Sequence, residues 1–280
     1  MFEIARPCRY RLTDAPLAQA LVQVRFPLVA HFQELSGIAG IQDHLSELLP
    51  YLQGQQVQQM TITLAPGTET PPPTMTTMVW RFTGDDQWTL ALEPGAASLF
   101  VGDEYRGIED FADRFFQVLS ALYETRRVRR CDRLGLRYLN IVEPPPGDER
   151  AWARWFKQEL IGWVGAGILG PNTRLHSSLA QTQISVPPVD SFAVAPADVQ
   201  AMVRHGVLPA GTEIPLESGS PRMVEQEAYV IDLDLFIQAP QRFDPETLIK
   251  QFQSLHAQID AFFHWSLTEE GARNFGMGEL

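Results

Sequence analysis

A chain of 280 residues has room for one large domain or two of ordinary size, and 45% hydrophobic with 20% charged residues is the make-up of a globular protein with a sizeable core. Twenty-two Lys plus Arg against thirty-four Asp plus Glu leave a formal net charge of -12, which repels a phosphate backbone over the molecule as a whole. Nucleic-acid binding must therefore rest on a local patch. Lysine occurs only at Lys157 and Lys250, so the positive charge is nearly all guanidinium, suited to forked hydrogen bonds with carboxylates. The two cysteines, Cys8 and Cys131, match neither a metal spacing nor a CxxC motif and are expected as separate thiols of a reducing cytoplasm. No apolar run approaches the roughly 18 residues of a membrane span, and the N-terminus lacks the apolar region of a signal peptide. The expectation is an unanchored cytoplasmic protein.

In chain order, Leu17 to Val29 predicts a strand, because β-branched and aromatic residues crowd its second half and Pro27 bars a helix. Ile38 to Leu52 puts apolar residues at 38, 41, 45, 48, 49 and 52, the spacing of a helix with one buried face. Gln56 to Ala65 alternates as a strand, and the Pro-rich run that follows is a loop. Met75 to Thr83 and Gln87 to Glu93 flank Gly84-Asp85-Asp86, a hairpin signal with Trp80 and Trp88 near the turn. Ala97 to Val101 continues the sheet. Ile108 to Val128 then predicts a helix with Phe111, Phe115, Val118, Leu119 and Leu122 on one stripe, acidic at its start and arginine-rich at its end, as the macrodipole favours.

The order then repeats. Arg133 to Val142 predicts a strand, and Glu149 to Val164 a helix with Trp152, Trp155, Phe156, Leu160 and Trp163 inward. Leu179 to Val186 alternates; residues 187–222 are Pro/Gly-rich, with a short helix expected at Ala197 to His205. Gln226 to Gln238 predicts a long strand. Pro245 to Trp265 predicts a long helix, with Asp244 as its N-cap and Leu248, Phe252, Leu255, Ile259 and Phe262 as its stripe. The fold class is α+β: two tandem repeats, each of strand, helix, three or four strands and helix, over residues 1–129 and 130–280, the second with an insertion at 187–222. Val24-Arg25-Phe26 recurs as Leu136-Arg137-Tyr138 in the opening strands. Joined in tandem, antiparallel sheets packed on long helices would make one curved sheet resembling the saddle of the TATA-binding-protein-like fold, a likeness of element order that carries no function.

Tyr10 to Phe26 (YRLTDAPLAQALVQVRF), Arg133 to Val142 (RLGLRYLNIV), and Ile231 to Asp234 (IDLD) leading into a helix with Leu255-His256 together resemble a sporadically distributed bacterial family of uncharacterised proteins of about this length. GLRYLN is the most specific element. The resemblance implies no activity or catalytic residue; its patchy distribution implies an accessory of a mobile element or defence system.

Arg126, Arg127, Arg129, Arg130, Arg133 and Arg137 place six guanidiniums in twelve residues. They offer an anion or phosphate-backbone strip beside Tyr138 or Trp80 for base stacking, against the plainer reading of a charged helix end paired with the surplus acids. By the period of two, Arg133, Gly135 and Arg137 share one face of their strand, and Asp232 and Asp234 one face of theirs. Were those strands neighbours, an Arg/Asp ladder would follow, worth about 0.2–1 kcal/mol per pair. Alternatively Asp232 and Asp234 would hold a divalent cation or divide acid and base roles in a metal-dependent hydrolase. The histidines lack ligand spacing, Gly162 to Gly170 lacks the Lys-Ser/Thr of a P-loop, and His176, Ser177 and Ser178 form no nucleophile elbow. Trp152, Trp155 and Trp163 fall on one helical face, a core or, if exposed, a homodimer contact. With no complete catalytic constellation, the expected function is non-enzymatic binding or assembly with a protein partner and no cofactor, nucleic acid being the alternative. The candidate binding residues are Arg129, Arg130, Arg133, Arg137, Tyr138, Asp232 and Asp234.

Overall fold

The structure, a computed structural model, describes residues 10–12, 14–60, 74–125, 127–148, 150–165, 168, 173, 175–187, 197–217 and 220–279. The first half contains β1 (Tyr10–Leu12), β2 (Leu17–Arg25), α1 (Leu35–Leu45), β3 (Tyr51–Met60), β4 (Thr74–Thr83), β5 (Thr89–Glu93), β6 (Ala96–Val101) and α2 (Ile108–Glu124). The second contains β7 (Arg130–Cys131), β8 (Arg133–Val142), α3 (Trp152–Trp155), α4 (Gln158–Ile161), β9 (Ser178–Val186) and β10 (Val199–Leu208). It continues with β11 (Glu213–Ile214), β12 (Arg222–Met223), β13 (Ala228–Ile237), β14 (Gln241–Arg242), α5 (Pro245–Ser266), α6 (Glu269–Asn274) and β15 (Met277–Glu279).

Nine strands form one sheet in the order β3-β4-β5-β6-β2-β8-β13-β10-β9, every neighbouring pair antiparallel. The opening strands of the two halves, β2 and β8, therefore lie side by side at its centre. Strand alternation sorts the side chains. Val22, Val24, Leu134, Leu136, Ile231, Leu233 and Leu235 point to one face, where they are 0% exposed against the helices. On that side α5 lies across from α2: Phe252 sits 5.1 Å from the Phe111 ring and 5.3 Å from Phe115. Asp244 caps α5 as its sequence predicts, its carboxylate accepting from Thr247 N at 3.1 Å and from the Thr247 hydroxyl at 2.6 Å.

The other face is only partly covered. Residues 209–217 and 220–227, which carry the β11-β12 pair, fold back over one end of it. There Leu208, Ile214 and Leu216 pack on Ala18, Leu139, Ile141 and Val230. Glu217 ties the crossing in place, its N–H donating to Gln19 Oε1 and its carbonyl accepting from Arg81. Among the described residues, nothing folds over the opposite end of this face.

Four expectations are corrected. The first helix ends at Leu45 rather than Leu52, because Pro50 holds its predecessor out of the helical region and Tyr51 and Leu52 open β3; the predicted end of that strand, at 61–65, lies outside the described residues. α2 ends at Glu124 with no basic residue in its last turn, so the arginines that follow do not cap its dipole; Arg126 and Cys8 lie outside the described residues. The helix expected over 149–164 is broken. Phe156 and Lys157 are extended, held by the Phe156–Leu267 bridge and by the Lys157 N–H to Ser266 O bond at 2.8 Å. Trp152 stacks on Tyr229, while Trp163 is 60% exposed rather than buried with the other two tryptophans. Finally, Ala197 to His205 is no helix: Val199–Leu208 is strand β10, inserted between β13 and β9, so residues 187–222 contain a member of the sheet. Gly206 in that strand has φ +151, and a Cβ there would collide with the Ser178 carbonyl of β9. No helix among the described residues is long and apolar enough to cross a membrane.

Candidate functional site

On the open face, β8 and β13 pair with Asp234 opposite Arg137, Phe236 opposite Gly135 and Asp232 opposite Leu139. The ion pairs run diagonally. Arg137 reaches Asp232 with a fork, Nε to Oδ1 at 2.7 Å and Nη2 to Oδ2 at 3.0 Å, and Arg204, directly across β10, donates to the same Oδ2 at 2.9 Å. Arg133 reaches Asp234 at 3.3 Å. The Arg/Asp ladder expected from the period of two is thus present, with Arg204 as a third guanidinium that the helical reading of its segment concealed. Asp232 is 7% exposed at its side chain, against 34% for Arg137 and 41% for Arg204, so a buried carboxylate organises two half-exposed cations.

Gly135 has a specific duty here. The Arg133 side chain lies flat across it, its guanidinium 4.5 Å over the Phe236 ring, and a Cβ at 135 would collide with that guanidinium. Gly135→Ala is expected to lift Arg133 off Phe236 and Asp234 and lower stability by about 1 kcal/mol. A double-mutant cycle by urea unfolding checks the cause: with Arg133 already replaced by Ala, the Gly135→Ala cost should nearly vanish.

Electrostatics follow the burial. Burial raises the Asp234 carboxyl above its usual range, neighbouring Asp232 adding to this and Arg133 opposing it. Arg133 is lowered by burial, whereas at Arg137 burial is outweighed by the hydrogen bond and charge of Asp232, which raise it. The carboxylate oxygens of Asp232 are engaged by guanidiniums, and among the described residues no group of three or more His, Cys, Asp and Glu is placed to hold a metal ion.

The remaining candidates separate in space. Tyr138 lies on the helix face, 8% exposed, sharing a 2.7 Å hydroxyl–hydroxyl bond with Tyr105 and meeting His256 edge-on at 5.7 Å. It cannot stack a base beside Arg137. Trp80 is buried too, its Nε1 donating to Phe32 O. Arg129 stacks on Tyr123, and Arg130 is paired with Asp132 at 2.7 Å, so the arginines of 127–137 form no single strip. The Cys131 thiol is buried, bonds to Arg133 O, and is pushed up to about 12 by burial. A cavity of about 180 Å³ between α4 and the β9–β10 end is lined by Leu160, Val164, His205 and Tyr229, with His205 Nδ1 2.9 Å from the Tyr229 hydroxyl.

On α5, His264 is 6% exposed at its side chain, with Nδ1 2.9 Å from Asp260 O and 3.2 Å from Asp260 Oδ1. Burial opposes its protonation, but the bonds to Asp260 and its charge prevail and raise its pKa above 6.5. Its contribution to stability is therefore full below the unfolded value and is lost as pH rises through the folded one. The stability gap between the native chain and His264→Gln, measured by urea unfolding from about pH 5.5 to about pH 8.5, is expected to shrink with rising pH.

Comparison of the chain with protein-family models, with curated proteins and with solved structures returns no match.

Proposed function

We propose that this is a non-enzymatic binding or assembly protein of the bacterial cytoplasm, and that the open part of the sheet face, from Arg204 and Asp232 to Arg133, docks a protein partner. One observation carries the reading. Arg133, Arg137 and Arg204 are held in place by buried or half-buried carboxylates, with half-exposed Leu21 and Met202 beside them. Preorganised arginine interleaved with accessible apolar side chains is the composition of protein interfaces. The nucleic-acid alternative has less support, because the aromatic residues offered for base stacking, Tyr138 and Trp80, face the helices. The carboxylates offered for a metal-dependent hydrolase hold guanidiniums. The resemblance of GLRYLN and its companion segments adds the role of an accessory to a mobile-element or defence system.

The same reading takes the chain as a tandem duplication with the order of a TATA-binding-protein-like saddle. In its support, strands β6, β5, β4, β3 run outward from β2 and strands β13, β10, β9 outward from β8, the last strand that each half adds to this sheet lying next to the central pair. Arg25 and Arg137, the middle residues of the recurring triplet, both lie on the open face, and Phe26 and Tyr138 are both buried.

Affinity capture from native extract with the immobilised chain and with Met202→Glu/Gln200→Glu, Gln200 being the half-exposed β10 residue opposite Phe236, tests the docking face. A protein retained by the native chain and lost by the variant, at unchanged Tm, is the expected result. An identical set of captured proteins, or a hydrolytic kcat abolished by replacing Asp232 or Asp234, overturns it.

A further inference from the structure

At the open end of this face, and in the separate β7–β14 pair that leads into β8, arginines from four strands face one another in two pairs. Arg25 of β2 stands directly opposite Arg133 of β8, and Arg242 of β14 directly opposite Arg130 of β7. Like charges placed directly across a sheet are destabilising, and in each facing pair a carboxylate neutralises one arginine, Arg133 or Arg130, but not the one opposite. The strand ends are pinned where they are: Asp132 N donates to Arg25 O at 2.7 Å and Phe243 N to Arg129 O at 3.0 Å.

The counter-charges are few. Asp132 pairs with Arg130 and Asp234 with Arg133. Among the described residues Arg25 has no ion pair and donates to the neutral Gln23 Oε1, at 2.7 Å, an oxygen that Arg133 also approaches at 3.4 Å. Arg242, exposed, has no ion-pair partner among the described residues. In a chain of net charge -12, Arg25 and Arg242 thus stand without an ion-pair partner among the described residues, each opposite another arginine. The rest of its surface is correspondingly more acidic.

We propose that this arginine cluster, Arg25, Arg130, Arg133 and Arg242, binds a short carboxylate-rich segment of a partner protein. The inference rests on the partner-docking reading of the open face and names the chemistry of one contact within it. Guanidinium forks match carboxylate geometry, and an anion seated between the facing arginines turns their repulsion into attraction. The segment is short because a longer polyanion would run onto the acidic remainder of the surface. It is a peptide rather than a single-stranded nucleic acid because the large aromatic rings near the cluster are turned away: Tyr138 is buried against the helices, and Phe236 is already covered by Arg133.

The test uses the full chain, a fluorescein-labelled decaglutamate, a labelled decaglutamine and a labelled oligothymidylate of ten nucleotides, read by fluorescence anisotropy. Decaglutamate is expected to bind, and to weaken by at least about tenfold between about 50 and about 200 mM salt. Arg25→Glu/Arg242→Glu, at exposed positions, is expected to weaken it by a further factor of about ten or more. Arg106→Glu/Arg273→Glu, the same change of charge placed elsewhere, should leave it within about twofold. No decaglutamate binding, equal loss in both variants, or tighter binding of oligothymidylate overturns the proposal. Capture of the native partner separates this from the docking reading: retention by Arg25→Glu/Arg242→Glu together with loss by Met202→Glu/Gln200→Glu overturns the acidic-segment inference alone.

Discussion

Phe252→Ala is expected to remove about 3–5 kcal/mol of unfolding free energy, the range for emptying an aromatic site that the surroundings cannot refill. Phe252 is 0% exposed and is the ring through which α5 meets both Phe111 and Phe115 of α2. Its neighbours Leu248, Leu255 and Ile259 are held by the sheet on one side, so the cavity persists. Against a typical total of about 5–15 kcal/mol, such a loss brings the chain close to its folding limit. Urea unfolding followed by far-UV circular dichroism checks it, with Phe252→Leu expected to keep more than half of the lost stability. A loss below about 1 kcal/mol would mean that α2 and α5 hold together without this ring.

Asp232→Ala should cost about 1.5–3 kcal/mol, the worth of hydrogen bonds to a charged group. Three donor contacts, two from Arg137 and one from Arg204, converge on this carboxylate. Without it two cations face each other across β13. Because both guanidiniums are more than a third exposed or nearly so, solvent softens the loss and keeps it below that of a fully buried pair. Arg204→Met should cost less than about 1 kcal/mol, since Asp232 keeps its fork from Arg137. Urea unfolding of the two variants at low salt and at about 0.5 M salt separates the contributions: added salt should narrow the Asp232→Ala deficit by screening the arginine pair.

Much of the architecture was legible in local pattern. Arg133–Val142 stands as a strand over the same ten residues that its alternation indicates, the Gly84–Asp86 turn joins β4 to β5, and Asp244 caps α5, because each depends on contacts a few residues apart. The Arg/Asp ladder followed from parity together with one assumption, that β8 and β13 are neighbours. Where distant partners decide the backbone, pattern misled. The spacing of Trp152, Trp155 and Phe156 imitates a helix, but the α5–α6 junction pulls Phe156 and Lys157 into an extended link. Val199–Leu208 carries Ala, Met, Gln and Arg that favour helix, yet its Val199, Val203 and Val207 line the inner face of a strand between β13 and β9. Misreading that segment hid Arg204. Arg25, Gln23 and Arg242 were missed for a different reason: nothing near them in sequence announces that β2, β7, β8 and β14 end together. Tyr138 was separable in advance, since the period of two sets it opposite to Arg137.

The central position of β2 and β8 also orders events in time. Residues 17–124 contain β2 to β6 with α1 and α2, enough to form all four junctions among these five strands, yet one edge of β2 has no partner until residues 133–142 are made. A nascent chain therefore exposes a nine-residue central edge, LAQALVQVR, with a single terminal charge to discourage mispairing. The closure of that edge joins residues more than a hundred positions apart, so the β2–β8 seam carries a larger loop-closure cost than the hairpins β3–β4, β4–β5 and β5–β6.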